Sequence, residues 1–312
     1  MRRFKNILFV ADGSKGERSV LTRAADLAKA NKAKLTVFGA VDVENYGSFN
    51  AMTNSAMEAL HQAQLKGRRK ALKSLCEAVK SKRPGLRTAV DVQTGNLARA
   101  AIRKVLANHH DLVMKAPEGS SGKIKVLFGS TDQKLMRKCP CPVWLVKPSR
   151  KKRFRKILAA VDINPNEPET ESLAKQIMSL STSLAKEDGS ELHVLHVWRL
   201  AAESKLRGRT IDKAAVDDIL QGMQAAYQSD LDRLTRPYAY DNRTVHLIKG
   251  RAMDVIPAFV KKREIDLVVI GTIGRVGIPG LLIGNTAERV LNAIDCAVLT
   301  LKPEGFETPI QL

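Results

Sequence analysis

The chain repeats itself in register, and this constrains its fold more than any other feature. Asp111-Leu112-Val113-Met114 returns 155 residues later as Asp266-Leu267-Val268-Val269. The same spacing carries Thr94-Gly95-Asn96-Leu97-Ala98 onto Lys249-Gly250-Arg251-Ala252-Met253, Gly119 onto Gly274, Gly129 onto Gly284, and Cys141-Pro142-Val143 onto Cys296-Ala297-Val298. Near the start, Ile7-Leu8-Phe9-Val10-Ala11-Asp12 pairs with Ile157-Leu158-Ala159-Ala160-Val161-Asp162 at an offset of 150. Coincidences sharing one register mark a duplication. A chain of 312 residues therefore holds two domains, expected at 1–148 and 154–312, each long enough to bury its own core. The segment between them, Lys147-Pro148-Ser149-Arg150-Lys151-Lys152-Arg153, is charged, bears a proline and lacks periodicity, as a linker does.

Within each copy, short continuous apolar runs alternate with longer stretches of helical period, the pattern of a parallel sheet buried on both faces. Strands are expected near 6–11, 35–41, 87–93, 111–115 and 142–146, and again near 156–161, 191–197, 243–249, 266–270 and 297–301. Helices are expected near 17–31, 55–82, 96–108 and 130–138, then 167–187, 212–236, 253–263 and 285–293. This predicts an α/β chain of two tandem doubly wound parallel five-stranded sheets, each of order 3-2-1-4-5, with ligands at the carboxyl ends of the strands.

The sharpest local signal is Gly271-Thr272-Ile273-Gly274, then nine residues, then Gly284-Asn285-Thr286-Ala287-Glu288. It follows a buried strand and opens a helix, so backbone N–H groups, the helix dipole and the side chains of Asn285 and Thr286 can converge on an anion. This Gly-x2-Gly-x9-Gly spacing resembles the universal stress protein family, and the resemblance runs through both copies. Gly284-Asn285-Thr286-Ala287-Glu288 and Arg137-Lys138-Cys139-Pro140-Cys141-Pro142 are similar to the tandem-domain members in particular. The resemblance implies an adenine-nucleotide hydrolase-like fold and ATP in the second copy: Asp162 contacts the nucleoside, Val197 lines the adenine slot, and Gly271, Thr272, Gly274, Gly284, Asn285 and Thr286 hold phosphates. Asn285 stands where the family has Ser or Thr. Magnesium is left open.

Copy one departs from this pattern. Asp12, Gly119, Gly129 and Ser130 match the family, but Ala116 replaces the first glycine, Pro117 removes an N–H donor and Glu118 brings a negative charge to where phosphate would lie. Loss of the ligand, or a different ligand, is the expectation for this copy.

Charge separates the halves. Residues 1–150 hold 29 Lys/Arg against 11 Asp/Glu, while 151–312 hold 23 against 21. The excess suggests an anionic partner for the first repeat, nucleic acid or lipid headgroups, as the alternative function. Few aromatic residues and no nucleic-acid motif argue against base stacking. The basic run at Lys66, Arg68, Arg69, Lys70, Lys73, Lys80, Lys82 and Arg83 reads first as a solvated helix face.

No Ser/His/Asp set and no Walker Gly-Lys-Ser/Thr is present, and the Ser-Gly-Gly-x-Asp-Ser loop of ATP-pyrophosphatases is replaced by Asp12-Gly13-Ser14 and Asp162-Ile163-Asn164. The expectation is a regulatory nucleotide-binding protein with at most slow ATP hydrolysis. Cys139-Pro140-Cys141 lacks the ligands of a closed zinc site, and His193 and His196, three apart on a strand, point to opposite faces. Four cysteines, no apolar run near the roughly 20 residues of a membrane span, and an opening apolar run too short for a signal peptide suggest cytoplasm. The family resemblance implies that the two final strands pair with each other, an intramolecular pseudo-dimer, and leaves homodimerisation open.

Overall fold

The computed structural model describes residues 3–14, 16–42, 54–118, 128–148, 153–164, 168–200, 203, 213–272 and 284–312. The first repeat folds as β1 (Asn6–Val10), α1 (Glu17–Asn31), β2 (Lys34–Val41), α2 (Asn54–Lys80), β3 (Arg87–Thr94), α3 (Leu97–Asn108), β4 (Leu112–Lys115), α4 (Ser130–Lys138) and β5 (Val143–Leu145). The second gives β6 (Lys156–Ala160), α5 (Pro168–Asp188), β7 (Glu191–Trp198), α6 (Lys213–Thr235), β8 (Arg243–Lys249), α7 (Ala252–Arg263), β9 (Leu267–Gly271), α8 (Asn285–Ala293) and β10 (Ala297–Leu301).

Two compact units result, one of Met1–Lys152 with Ala297–Lys302 and Phe306–Leu312, the other of Arg153–Cys296 with Pro303–Gly305. In the first, the strands run β3-β2-β1-β4-β5, all parallel, and β10 lies antiparallel against β5. The second unit holds β8-β7-β6-β9, again all parallel. The fifth strand expected for a domain spanning 154–312 is thus grouped with the first unit. Val298 faces Leu145 and Leu299 faces Trp144 in the ladder, and the Thr300 hydroxyl donates to the Val143 carbonyl at 3.2 Å. An apolar three-residue edge at β5 is covered by this pairing, which removes an aggregation-prone template.

The continuous apolar runs become strands because both faces of each sheet are covered. Ile7, Leu8, Phe9 and Val10 of β1 are all buried, as are Leu267, Val268 and Val269 of β9. Each such side chain contributes about 1.5–3 kcal/mol of burial. Val20, Leu21, Ala24, Ala25 and Ala28 form the stripe by which α1 packs on its sheet, the spacing of a one-sided helix. His109, at φ 52°, closes α3 in the left-handed conformation, as expected for the end of that helix.

The repeated aspartates also acquire a reason. Asp111 accepts the backbone N–H groups of Lys5 and Asn6 at 2.6 and 3.1 Å, and Asp266 accepts those of Arg155 and Lys156 at 2.8 and 3.1 Å. In each unit, the residue before one central strand anchors the start of its neighbour. Among the described residues no helix is long and apolar enough to cross a membrane.

Candidate functional site

In the second unit a cavity of about 350 Å³ opens at the carboxyl ends of β6, β7 and β9. This is where an open parallel sheet offers a crevice. Asp162 follows β6, Val197 lies near the end of β7, Gly271 and Thr272 end β9, and Gly284, Asn285 and Thr286 begin α8; all seven line the cavity. Gly274, the remaining residue expected at the phosphates, lies outside the described residues. Leu173 and Ile177 of α5 and Ile256 of α7 supply an apolar wall that the sequence reading did not assign. Their signal, apolar residues one helical turn apart, is the same as that of ordinary core.

The phosphate-loop residues are arranged by two local contacts. The Gly284 N–H donates to the Thr272 carbonyl at 2.7 Å, which brings the strand end and helix start together. A Cβ on Gly271 would come within 2.6 Å of Leu173, so the glycine there lets α5 pack against the strand. Gly284 differs, since a Cβ would meet nothing closer than the Thr272 carbonyl at 3.6 Å and its φ is −74°. The first turn of α8 has no side-chain cap, and Asn285 and Thr286 are exposed beside it. The helix-start N–H groups and two polar side chains therefore meet at one end of the cavity.

At the other end, the Asp162 side chain is 78% exposed and 4.0 Å from Nδ1 of His196. His196 is buried, and its Nδ1 donates to the Val161 carbonyl at 3.2 Å. Burial lowers the imidazole pKa, against the Val161 hydrogen bond and the Asp162 charge, so the ring is neutral at pH 7 and Nδ1 carries the proton. His196 positions the bend that presents Asp162, while the carboxylate itself remains available as an acceptor. His193, on the other face of β7, instead meets His246 at 3.1 Å.

The equivalent region of the first unit is filled by its own side chains. Lys115, fully buried at the end of β4, donates to Asp12 at 2.5 Å, to Asp132 at 2.8 Å and to the Ala116 carbonyl at 2.9 Å. Asp132, also fully buried, accepts the N–H groups of Glu118 and Gly129. Glu118 accepts the N–H of Thr131 at 3.2 Å, so a carboxylate already occupies the start of α4. Gly129 is needed for that approach, since a Cβ there would overlap the Glu118 carboxylate. Ser130 is exposed on the first turn of α4, and Gly119 lies outside the described residues.

Burial works against the charge on Lys115, yet Asp132 and Asp12 outweigh it and hold its pKa above the usual lysine value. Burial likewise works against Asp12, and Lys115 prevails to lower it. Asp12, expected as a weaker nucleotide contact, is thus engaged in an internal ion pair.

Across the ends of β1 and β2, Arg68 donates to the Ala11 carbonyl at 2.8 Å and, with Leu72, packs where a Cβ of Gly39 would stand. By sheet register Gly39 corresponds to His196, so each repeat satisfies the same carbonyl with a different cation-bearing or imidazole side chain. Arg68 and Arg83 are therefore structural members of the basic run. Lys66, Arg69, Lys70, Lys73, Lys80 and Lys82 are exposed.

The profile of the universal stress protein family matches residues 3–147 and 153–302. "Universal stress protein E" of Salmonella typhi is 27% identical over 319 residues, covering 100% of this chain and 98% of its own. "Universal stress protein E homolog" of Haemophilus influenzae is 26% identical, with 96% and 98% covered. A crystal structure of a Pseudomonas aeruginosa protein described as functionally unknown matches with a TM-score of 0.74 at 26% identity, covering 97% of this chain and 94% of the other. A universal stress protein from Archaeoglobus fulgidus shares the fold at a TM-score of 0.60 and 18% identity, with 97% and 98% covered. With two family matches spanning both repeats and relatives aligned end to end, the chain belongs to the universal stress protein family.

Proposed function

We propose that the chain is a regulatory stress protein of the cytoplasm that binds an adenine nucleotide, ATP in the first instance, in the second unit alone. One observation carries this reading: the described residues that the family resemblance assigns to nucleotide binding line one cavity, whereas in the first repeat Asp12, the counterpart of Asp162, is paired with the buried Lys115, itself bonded to Asp132. In the second repeat, Ile270 stands at the position of Lys115 and Ala287 at that of Asp132, so the buried charges that close the first site are replaced by apolar walls. A base and ribose fit the apolar side and the Asp162 end, and phosphates fit the uncapped start of α8.

Among the described residues that line this cavity no nucleophile and general-base pair stands, and occupancy, not turnover, is the proposed output. ATP would favour one conformation of the chain and report its own concentration. The alternative, an anionic partner for the basic first repeat, has as its support only the exposure of Lys66, Arg69, Lys70, Lys73, Lys80 and Lys82, which a solvated helix face explains equally.

Isothermal titration of the full chain with ATP tests the proposal. One site per chain is expected, weakened by roughly ten- to a hundredfold in Asp162→Ala and retained in Asp12→Asn. Absence of binding at millimolar ATP, or binding abolished by the first-repeat substitution only, would refute it. Labelled ATP should yield little product, since at most slow hydrolysis is expected.

A further inference from the structure

Outside both ligand regions, two thiols stand within reach of each other. Cys139 ends α4 with its N–H on the Leu135 carbonyl at 2.9 Å, and its extended backbone turns the chain through Pro140 to Cys141. The two sulfurs are 3.6 Å apart. Closing them to a bond requires an approach of about 1.5 Å, which side-chain rotation can supply. Cys139 is fully buried and Cys141 half-buried, while Cys76 and Cys296 are both buried. The buried Lys302 reaches the same helix. Its Nζ donates to the Met136 carbonyl at 2.5 Å and stands 5.0 Å from the Phe306 ring.

We propose that Cys139 and Cys141 form a redox-active dithiol that reacts with low-molecular-weight disulfides and closes a bond between the two residues. Cys141, the accessible member, attacks one sulfur of the incoming disulfide as its thiolate, giving a mixed disulfide and releasing one thiol. The Cys139 sulfur then attacks the Cys141 sulfur and expels the second thiol. The protein loses two electrons and two protons, and one disulfide becomes two thiols, so the exchange balances.

The environment assigns the roles. A hydrogen bond to Cys139, burial and the charges of Cys139 and Asp111 hold the Cys141 proton in place, its pKa well above the usual thiol range. The first step is accordingly slow at neutral pH and accelerates in alkali. Burial lowers the Lys302 pKa to about 7, and Cys139 opposes that change. Cys139 suits resolution, where the attacked sulfur is already adjacent and no access from solvent is needed. A ring closed across one intervening residue is strained, so the bond belongs with labile disulfides, not permanent ones.

The test uses the reduced full chain, incubated without oxygen in oxidised glutathione, then alkylated and digested with trypsin. The peptide spanning 139–150 holds both thiols and neither of the others. It should appear unalkylated and lighter by two hydrogens, and revert with excess reduced glutathione. Cys139→Ser should instead trap glutathione on Cys141 as a stable mixed disulfide, showing which thiol reacts first. Full alkylation of both thiols in the wild-type chain at the highest glutathione disulfide, or a mixed disulfide that never closes, would overturn the proposal. Because the wild-type protein carries the main readout, a misfolded variant cannot decide the outcome.

Discussion

Lys115 donates to Asp132 at 2.8 Å, with both side chains fully buried, at the pair of positions that the second repeat fills with Ile270 and Ala287. One duplicated scaffold has therefore been finished in two ways: a closed electrostatic knot in one copy, an apolar-walled cavity in the other.

Removing one partner of that knot should be far more harmful than removing both. Lys115→Ile leaves Asp132 and Asp12 buried without their counter-charge and should cost about 3–5 kcal/mol of stability. Adding Asp132→Ala reproduces the second repeat's pair and should recover much of the loss, by an interaction energy of roughly 1–3 kcal/mol. Urea unfolding of the wild type, both single variants and the double variant gives the cycle. Simple additivity would show that the two charges do not act as a unit.

Gly271→Ala should destabilise the second unit by about 1–3 kcal/mol, since the new methyl would press into the Leu173 side chain. Leu173 is the atom group in the way, at 2.6 Å. Leu173→Ala in the same chain should therefore relieve the effect of the methyl, and thermal melts of the pair check this coupling. An equal change in Tm from Gly271→Ala with or without Leu173 would point to backbone demands instead.

Asp162→Ala should separate binding from stability. The side chain is mostly exposed and its loss should change unfolding free energy by no more than about 0.5 kcal/mol. Loss of a hydrogen bond from an ionised acceptor should weaken ATP by roughly ten- to a hundredfold, about 1.5–3 kcal/mol. Calorimetric titration beside a urea curve reads both quantities on one sample.

Acid should weaken the fold through His193 and His246. Their nitrogens lie 3.1 Å apart, and burial, the neighbouring His193 and Arg263 push the His246 pKa down to about 4. Burial lowers His193 as well. Unfolding restores both to ordinary values near 6.5, so the unfolded chain takes up protons first and stability present at pH 7 is lost between about 6.5 and 4. His246→Leu should flatten this slope, removing on the order of 1–2 kcal/mol of the loss between pH 7 and pH 5. An unchanged stability profile would show that these rings titrate alike in both states.

Most of the architecture was legible because buried parallel strands write themselves as uninterrupted apolar runs. Leu112-Val113-Met114 and Leu267-Val268-Val269 could hardly be anything else, and their repetition placed every neighbouring element. The open cavity was legible in part: Asp162, Gly271 and Gly284 stand at strand ends and a helix start, where local patterns reach. Leu173 and Ile256 were not, since an apolar residue facing a cavity and one facing a core have the same sequence signature. The closure of the first repeat was hidden for another reason. Lys115, Asp132 and Asp12 are far apart in the chain, and no local periodicity joins a strand lysine to two carboxylates delivered by other elements. Ala116, Pro117 and Glu118 signalled trouble, because they sit in the loop where an anion was expected. The pairing of β10 with β5 was expected from the family resemblance, not from the strand itself, since a five-residue apolar strand carries no record of its neighbour.

That placement bears on how the molecule comes into being. Since the strand at 297–301 completes the ladder begun at Val143–Leu145, a ribosome must translate nearly all of the second repeat before the first can close its open side. A nascent chain therefore carries an uncovered sheet edge through most of its synthesis, and cutting the gene between its repeats would release a first half whose β5 edge is unpaired.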